Sequence, residues 1–412
     1  MTATANIPPP ERRRAATNSD ATYGWVARSF HWTIAVLILT ALVLGKLAHD
    51  APYATDAELA RKAFLFSFHK TTGVTIFFVA LARILWAMTQ PHPRPLHGGA
   101  EAFLASIVHW LLYGSLVLVP ALGWAEHAAT SGFAPIWWPF GQSLPFVPQD
   151  ADLAARLAVL HTTFVKVLVG ALVLHVAGTV KHVVIDRDDT FGRMWRGTRP
   201  ARLAAAKGHG VPAIAAVAVW GATLIVGLNL APEGSAVIAS TAAVEAEGTS
   251  NWTVTEGTLS ITVTQMGSAV TGSFADWDAA IDFDETPRED GTLGAVEVSI
   301  ATGSLALGSV SQQATGEEFL ASGAFPTARF TGVIREAEVG YVADGAVTIR
   351  GAEVPVVLPF DLDIDGDRAV MAGQIALDRR DYAMGESYPD ESNVGFGVTV
   401  NVALEADRGA DG

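Results

Sequence analysis

The stretch HTTFVKVLVGALVLHVAGTVKHVVIDRD, residues 161–188, decides how the first half of the chain is read. Its apolar run is long enough to cross a bilayer, which takes about 20 residues. It carries His161 at one end of that crossing and His175 near the other. Helical geometry gives a 14-residue separation about 21 Å of rise and brings it within about 40° of four whole turns. The two imidazoles therefore share nearly one face, close to opposite leaflets. A histidine inside a membrane helix is costly unless it has a partner, so the reading turns on what faces these two.

Five stretches are apolar enough to span, roughly 30–48, 66–88, 103–123, 158–180 and 211–230. Arg12, Arg13, Arg14 and Arg28 precede the first, and Arg187, Arg193, Arg196, Arg199, Arg202 and Lys207 lie between the fourth and fifth. The loops after spans one and three are mixed or acidic. Positive charge collects on the cytoplasmic side, which predicts a cytoplasmic N-terminus and places everything after residue 231 in the periplasm. Span one then carries His31 on the cytoplasmic side, level with His175. Span two begins outside, with His69 level with His161. Two pairs at matched depth follow, His31 with His175 and His69 with His161. Neutral imidazole is a good axial ligand for haem iron, and a bis-histidine site leaves no open position, which suits electron transfer. Two ligands on one helix, one per leaflet, predict two stacked haems.

A lone intramembrane histidine is often a polar packing residue; four that pair by depth argue against that reading here. His182, seven residues after His175, is an alternative ligand at the basic helix end. His109 in span three has no depth-matched partner left and is expected to hydrogen-bond within the bundle. His49, His92, His97, His127 and His209 fall near span ends or in loops, where solvation is the default. Arg83, 14 residues beyond His69, shares its face near the cytoplasmic leaflet; a haem propionate would satisfy it, and snorkelling to the interface is the alternative.

The chain divides sharply in character. All 11 histidines lie within 1–210, whereas residues 245–412 hold 8 Arg, no Lys and 29 acidic residues, a net of −21 that leaves +6 elsewhere and sums to the −15 of the whole. An acidic surface disfavours nucleic acid. The absence of cysteine excludes c-type haem attachment, thiolate clusters and disulfides. The polar, basic first 20 residues do not read as a cleavable signal peptide and are expected to be disordered. From Asn251 the pattern becomes period two, in LSITVT (259–264), AAIDFD (279–284), AVEVSI (295–300), GAVTIR (345–350) and GFGVTVNVAL (395–404). Such runs between Gly, Asp and Pro predict an antiparallel barrel or sandwich. DLDIDGDR (361–368) invites a calcium-loop reading but lacks the terminal bidentate Glu, and reads as a solvated hairpin turn. FPTARF and SFADWD can be ordinary strand ends, with Trp277, Phe325 and Phe330 as core plugs.

YGWVARSFHW (23–32), FSFHKTTGVTIFFVALARILW (66–86), HWLLYGSLVLVPALGW (109–124), PIWWPFGQSLPF and the 161–188 stretch together resemble the prokaryotic cytochrome b561 family over about residues 22–190. The resemblance places that family's four haem ligands on His31, His69, His161 and His175, agreeing with the depth argument, and leaves His109 a non-ligand. It implies two haem b and electron exchange between ubiquinone or ubiquinol in the bilayer and a redox donor it does not name. VTGSFADWDAAIDFD (270–284), FPTARFTG (325–332), VTIRGAEVPVVLPFDLDI (347–364) and ALDRRDYAMG (376–385) are similar to a YceI-like domain, about 249–406. That likeness implies a lipocalin-like barrel enclosing an isoprenoid lipid, such as a quinone tail. The segment between the strands near 300 and FPTARF is short for that family and is expected to alter the cavity mouth.

The predicted fold is thus an all-α transmembrane four-helix haem bundle with one extra transmembrane helix, then an all-β lipocalin-like antiparallel barrel. The expected layout is a disordered cytoplasmic tail (1–21), the cytochrome b bundle (22–190), a basic linker (191–210), a fifth span (211–231), a small-residue linker (232–248) and the periplasmic barrel (249–406). The expected role is a di-haem respiratory cytochrome of the inner membrane with quinone oxidoreductase activity. A rival reading makes the protein a membrane-tethered lipid-binding module with the bundle as anchor. A homodimer is compatible with either.

Overall fold

The computed structural model describes residues 15–130, 133–204, 210–231 and 245–409. Most of the expected tail, His209 and most of the 232–248 linker lie outside the described residues. Among the described residues five helices are long and apolar enough to cross a membrane: α1 (Trp25–Asp50), α2 (Asp56–Met88), α3 (Gly99–Ala129), α4 (Ala151–Lys181) and α6 (Gly210–Leu230). The first four outrun the apolar stretches because polar residues extend their ends; α2 begins with Asp56 and Glu58, which favour a helix N-terminus. The chain continues from α4 into a π-helical turn, His182–Asp186, then a short α5, Thr190–Trp195.

The helices bury one stripe and expose another. On α1, Ile34 and Ile38 are buried with Ile76 and Ala80 of α2 and Leu116 of α3. Val36, Leu39 and Val43 stay exposed on the opposite side, as lipid-facing residues should. Helix α6 packs through Trp220 against Val119, Leu160, Phe164 and Leu168 of α3 and α4. Gly114 makes room for that indole: a Cβ there would lie 1.9 Å from the Trp220 ring. Small residues at such contacts let membrane helices approach closely.

The chain clusters into two compact units, one of 1–46, 68–125 and 156–231, the other of 47–67, 126–155 and 232–412. The second contains the barrel: β1 (Trp252–Gln265), β2 (Ser268–Phe274), β3 (Trp277–Phe283), β4 (Gly294–Ala301), β5 (Leu305–Ala306), β6 (Thr327–Glu336), β7 (Tyr341–Ile349), β8 (Ala352–Asp365), β9 (Arg368–Asp378) and β10 (Val394–Arg408). The register Leu259↔Phe274 between β1 and β2 recurs, after a gap, at Trp252↔Ile281 between β1 and β3. So β2 and β3 are one strand bent at 275–276, and β4 and β5 form a second bent strand beside it. Neighbouring strands pair antiparallel in chain order, and β10 returns to β1. The result is a closed eight-stranded meander. Closure removes the free edges that an open sheet must protect.

Each alternating run read from the sequence falls on a strand, except that Asp284 and Arg350 lie one residue past the ends of β3 and β7. DLDIDGDR forms the β8–β9 hairpin, with Asp365 opposite Arg368. Phe330 is buried at 8% exposure, whereas Phe325 is 38% exposed and is no core plug. A plug needs a strand position facing inward, and Phe325 precedes β6. Arg379, 3% exposed, donates to five carbonyls: Gly395 (3.0 Å), Met384 (2.8 Å), Gly385 (2.8 Å), Tyr388 (2.7 Å) and Val394 (3.3 Å). It ties the irregular β9–β10 connection together. Within the same unit the Tyr388 hydroxyl donates to the Tyr53 carbonyl (2.8 Å), and Leu59, Tyr388 and Val394 share a buried cluster.

Candidate haem and lipid sites

Two imidazole pairs lie within the helical unit. His31 of α1 and His175 of α4 have ring centres 6.1 Å apart; His69 of α2 and His161 of α4 have theirs 6.3 Å apart. Two metal–imidazole bonds of about 2 Å laid end to end between facing nitrogens put the ring centres about 6 Å apart. Both pairs therefore fit a metal of six-coordinate haem between them.

The second pair is oriented in detail. His69 Nδ1 bonds the Ala41 carbonyl at 2.9 Å, and His161 Nδ1 bonds the Val119 carbonyl at 3.0 Å. A carbonyl only accepts, so each Nδ1 carries the proton and each Nε2 keeps a lone pair that could ligate a metal. The same design admits both rings. A Cβ at Gly45 would lie 2.9 Å from the His69 ring, and one at Gly123 would lie 2.9 Å from the His161 ring. Each glycine stands one helical turn beyond the carbonyl that its histidine reaches. These four positions were not singled out in the sequence, although a signal existed: Gly45 follows His31, and Gly123 follows His109, by the same 14-residue step that separates His161 from His175.

Around the first pair, His109 sits with its ring centre 5.2 Å from His175 and hydrogen-bonds the Ala105 backbone. Arg83 is close enough to His31, His109 and His175 to act on each electrostatically. Its guanidinium reaches the Tyr113 hydroxyl at 3.3 Å and lies 5.0 Å over that ring. Tyr113 is a partner that the sequence reading missed.

His182 is turned away from this group. Its Nδ1 bonds Asp188 at 2.8 Å, and the same carboxylate oxygen takes His97 Nε2 at 2.6 Å. His97, expected to be solvated, is instead held by a residue far along the chain. Burial alone would raise the Asp188 carboxyl, but hydrogen bonds from Thr190, His97 and His182 outweigh it and hold the group down at about 2.

The barrel encloses a cavity lined by residues such as Ile261, Phe283, Val298, Phe330, Phe360 and Leu404. Inward positions are almost all aliphatic or aromatic, which is the second half of the alternation read from the sequence. Five polar side chains, Gln265, Thr302, Gln313, Arg379 and Tyr382, also line it. Among the described residues the Gln265 side-chain oxygen and the Tyr382 hydroxyl find no partner, although Gln265 is 4% and Tyr382 1% exposed. Leaving such a group unmatched costs about 1–3 kcal/mol, so a polar ligand atom would be favoured at each.

Apolar helices enclosing paired imidazoles, followed by a closed barrel with an apolar interior, define a membrane cytochrome of the b type joined to a lipid-binding barrel. Residues 22–197 match the family model of prokaryotic cytochrome b561, and residues 251–406 that of the YceI-like domain. The chain thus joins a region similar to prokaryotic cytochrome b561, residues 22–197, to a YceI-like region, residues 251–406. Over 189 residues it is 28% identical to cytochrome b561 homolog 2 of Escherichia coli (strain K12), covering 43% of this chain and 93% of the relative. Among solved structures it is similar to BcnA of Burkholderia cenocepacia, at 23% identity and TM-score 0.34 over 36% of this chain and 95% of that one. It is also similar to the YCEI protein of Campylobacter jejuni, at 19% identity and TM-score 0.28 over 33% and 84%. The cytochrome b561 match over residues 22–197 implies haem b binding in that region.

Proposed function

We propose that the protein carries two haem b groups, one between His31 and His175 and one between His69 and His161, and moves electrons between the leaflets to or from ubiquinone. The observation that carries this reading is the ring separation of both pairs, 6.1 and 6.3 Å, each matching a bis-imidazole metal site. His31, His175, His69 and His161 would hold the haems, which would supply reversible one-electron chemistry. The Ala41 and Val119 carbonyls hold their histidines in the ligating tautomer. Arg83, supported by Tyr113, offers a guanidinium to a propionate. The basic segments support a cytoplasmic N-terminus and a periplasmic barrel in an inner-membrane protein.

The barrel is assigned an isoprenoid lipid, with the tail of a quinone as the favoured occupant. Its apolar lining suits the chain, and Gln265 and Tyr382 are where a polar head would be met. Tethering that site to the haem bundle raises its effective concentration at the membrane. The rival in which the bundle is only an anchor predicts no haem. A reduced-minus-oxidised spectrum with haem quantitation on purified full-length protein separates the two: two low-spin b haems support the cytochrome, and their absence leaves the anchor.

A further inference from the structure

A second cluster of ligating groups stands apart from the four paired histidines. His97 comes from the segment between α2 and α3, His182 and Asp186 from the two ends of the π-helical turn, and Asp188 from just beyond it. Each offers one nitrogen or oxygen, and these atoms all lie within 4.8 Å of one another. The backbone is shaped to bring them there. The π turn ends at Arg187, whose left-handed conformation (φ 53°, ψ 42°) lets its own N–H and that of Asp188 return to the His182 carbonyl. Both carboxylates are thereby folded back over His182 Nδ1, Asp188 at 2.8 Å and Asp186 at 3.0 Å. π-Helical turns inside α-helices recur at functional sites.

We propose that His97, His182, Asp186 and Asp188 form a binding site for a divalent transition-metal ion of the zinc class. Two imidazoles beside two carboxylates are a mixed donor set, and the imidazoles suit zinc and its neighbours better than magnesium or calcium, whose ligands are oxygens. The supporting groups are already placed as a metal site requires. The Thr190 backbone N–H bonds the Asp188 Oδ1 at 2.7 Å, which aims Oδ2 at both imidazoles. Glu101 lies 3.6 Å behind His182 Nε2, on the side away from the cluster. Lys181 bridges Glu101 (2.7 Å) and Asp186 (2.6 Å); when a cation binds Asp186, Lys181 keeps Glu101. The ion would pin the α2–α3 connection to the end of α4, seven residues beyond His175.

The test uses untagged, full-length protein with its haems, stripped by chelator, equilibrated with Zn²⁺ and dialysed. Elemental analysis is expected to find one zinc per chain. X-ray absorption at the zinc edge should show imidazole nitrogens together with carboxylate oxygens. His97→Ala, in a connecting segment, and Asp188→Asn should each lose the ion while the haem spectrum stays unchanged. Glu101→Gln should weaken binding about 10–100-fold. Equal zinc in wild type and His97→Ala, no retained zinc in wild type, or a shell without imidazole would overturn the assignment.

Discussion

Gly45 and His69 are in contact across the α1–α2 interface: a Cβ on the glycine would lie 2.9 Å from the imidazole. The ring uses that gap to reach the Ala41 carbonyl, one turn back on the same helix, at 2.9 Å. Gly123 repeats the arrangement on α3, where it admits His161 to Val119. Two different helices thus solve one problem in one way. In each, a helical carbonyl orients the imidazole at a place where glycine removes the side-chain cover.

Replacing either glycine by valine should therefore displace its histidine. Gly45→Val and Gly123→Val are each expected to lose the haem of the His69–His161 pair and to retain the other. Haem-to-protein ratio should fall from two to about one. Pyridine haemochrome quantitation of the purified variants checks this, and an unchanged ratio would show that the glycines do not control ring access.

The barrel interior predicts a steric test. Val347 is half-buried on β7 and lines the cavity. Val347→Phe should reduce retention of a long isoprenoid more than tenfold, the effect of about 1.4 kcal/mol or more of overpacking, without altering haem content. Extraction and quantitation of copurified lipid provides the measurement. Equal lipid in wild type and variant would move the ligand out of this cavity.

Arg379 should be a stability residue. Arg379→Met leaves five carbonyls without their donor in a buried connection, and a loss of about 3 kcal/mol or more is expected. The β-sheet circular dichroism of the full chain should then melt at lower temperature while the haem spectrum is retained at room temperature. A melt matching wild type would mean that water replaces the guanidinium.

High pH should loosen the same region. Burial pushes Tyr382 and Tyr388 each up to about 12 from an ordinary value of 10.0. A raised folded value means that the stabilisation is complete below pH 10 and is lost as pH rises through 12. Tyrosinate absorbance and sheet content followed together from pH 9 to 12 should show late, cooperative ionisation of these two groups. Ionisation near 10 with the sheet intact would contradict their burial.

Much of this architecture is legible in the chain for a physical reason. Helix and strand repeats of 3.6 and 2 residues print themselves on apolar spacing, so the spans, the strand runs and the shared face of His161 and His175 can be counted off. Backbone partners cannot. The Ala41 and Val119 carbonyls have no side-chain signature, and only the recurring 14-residue step hints at Gly45 and Gly123. A loop histidine such as His97 reads as solvated; its partner Asp188 lies 91 residues away, a distance no local pattern bridges. The 302–326 segment, with β5 and short helical turns, lacks any period and was read only as unusually short.

The central claim is that the two imidazole pairs are independent haem sites. Haem stoichiometry of wild type, His31→Ala and His161→Ala tests it most directly, with low-spin character followed by electron paramagnetic resonance. The wild type should hold two low-spin haems per chain, His31→Ala only that of the His69–His161 pair, and His161→Ala only that of the His31–His175 pair. Two haems retained in either variant, or one haem in the wild type, would contradict the pairing.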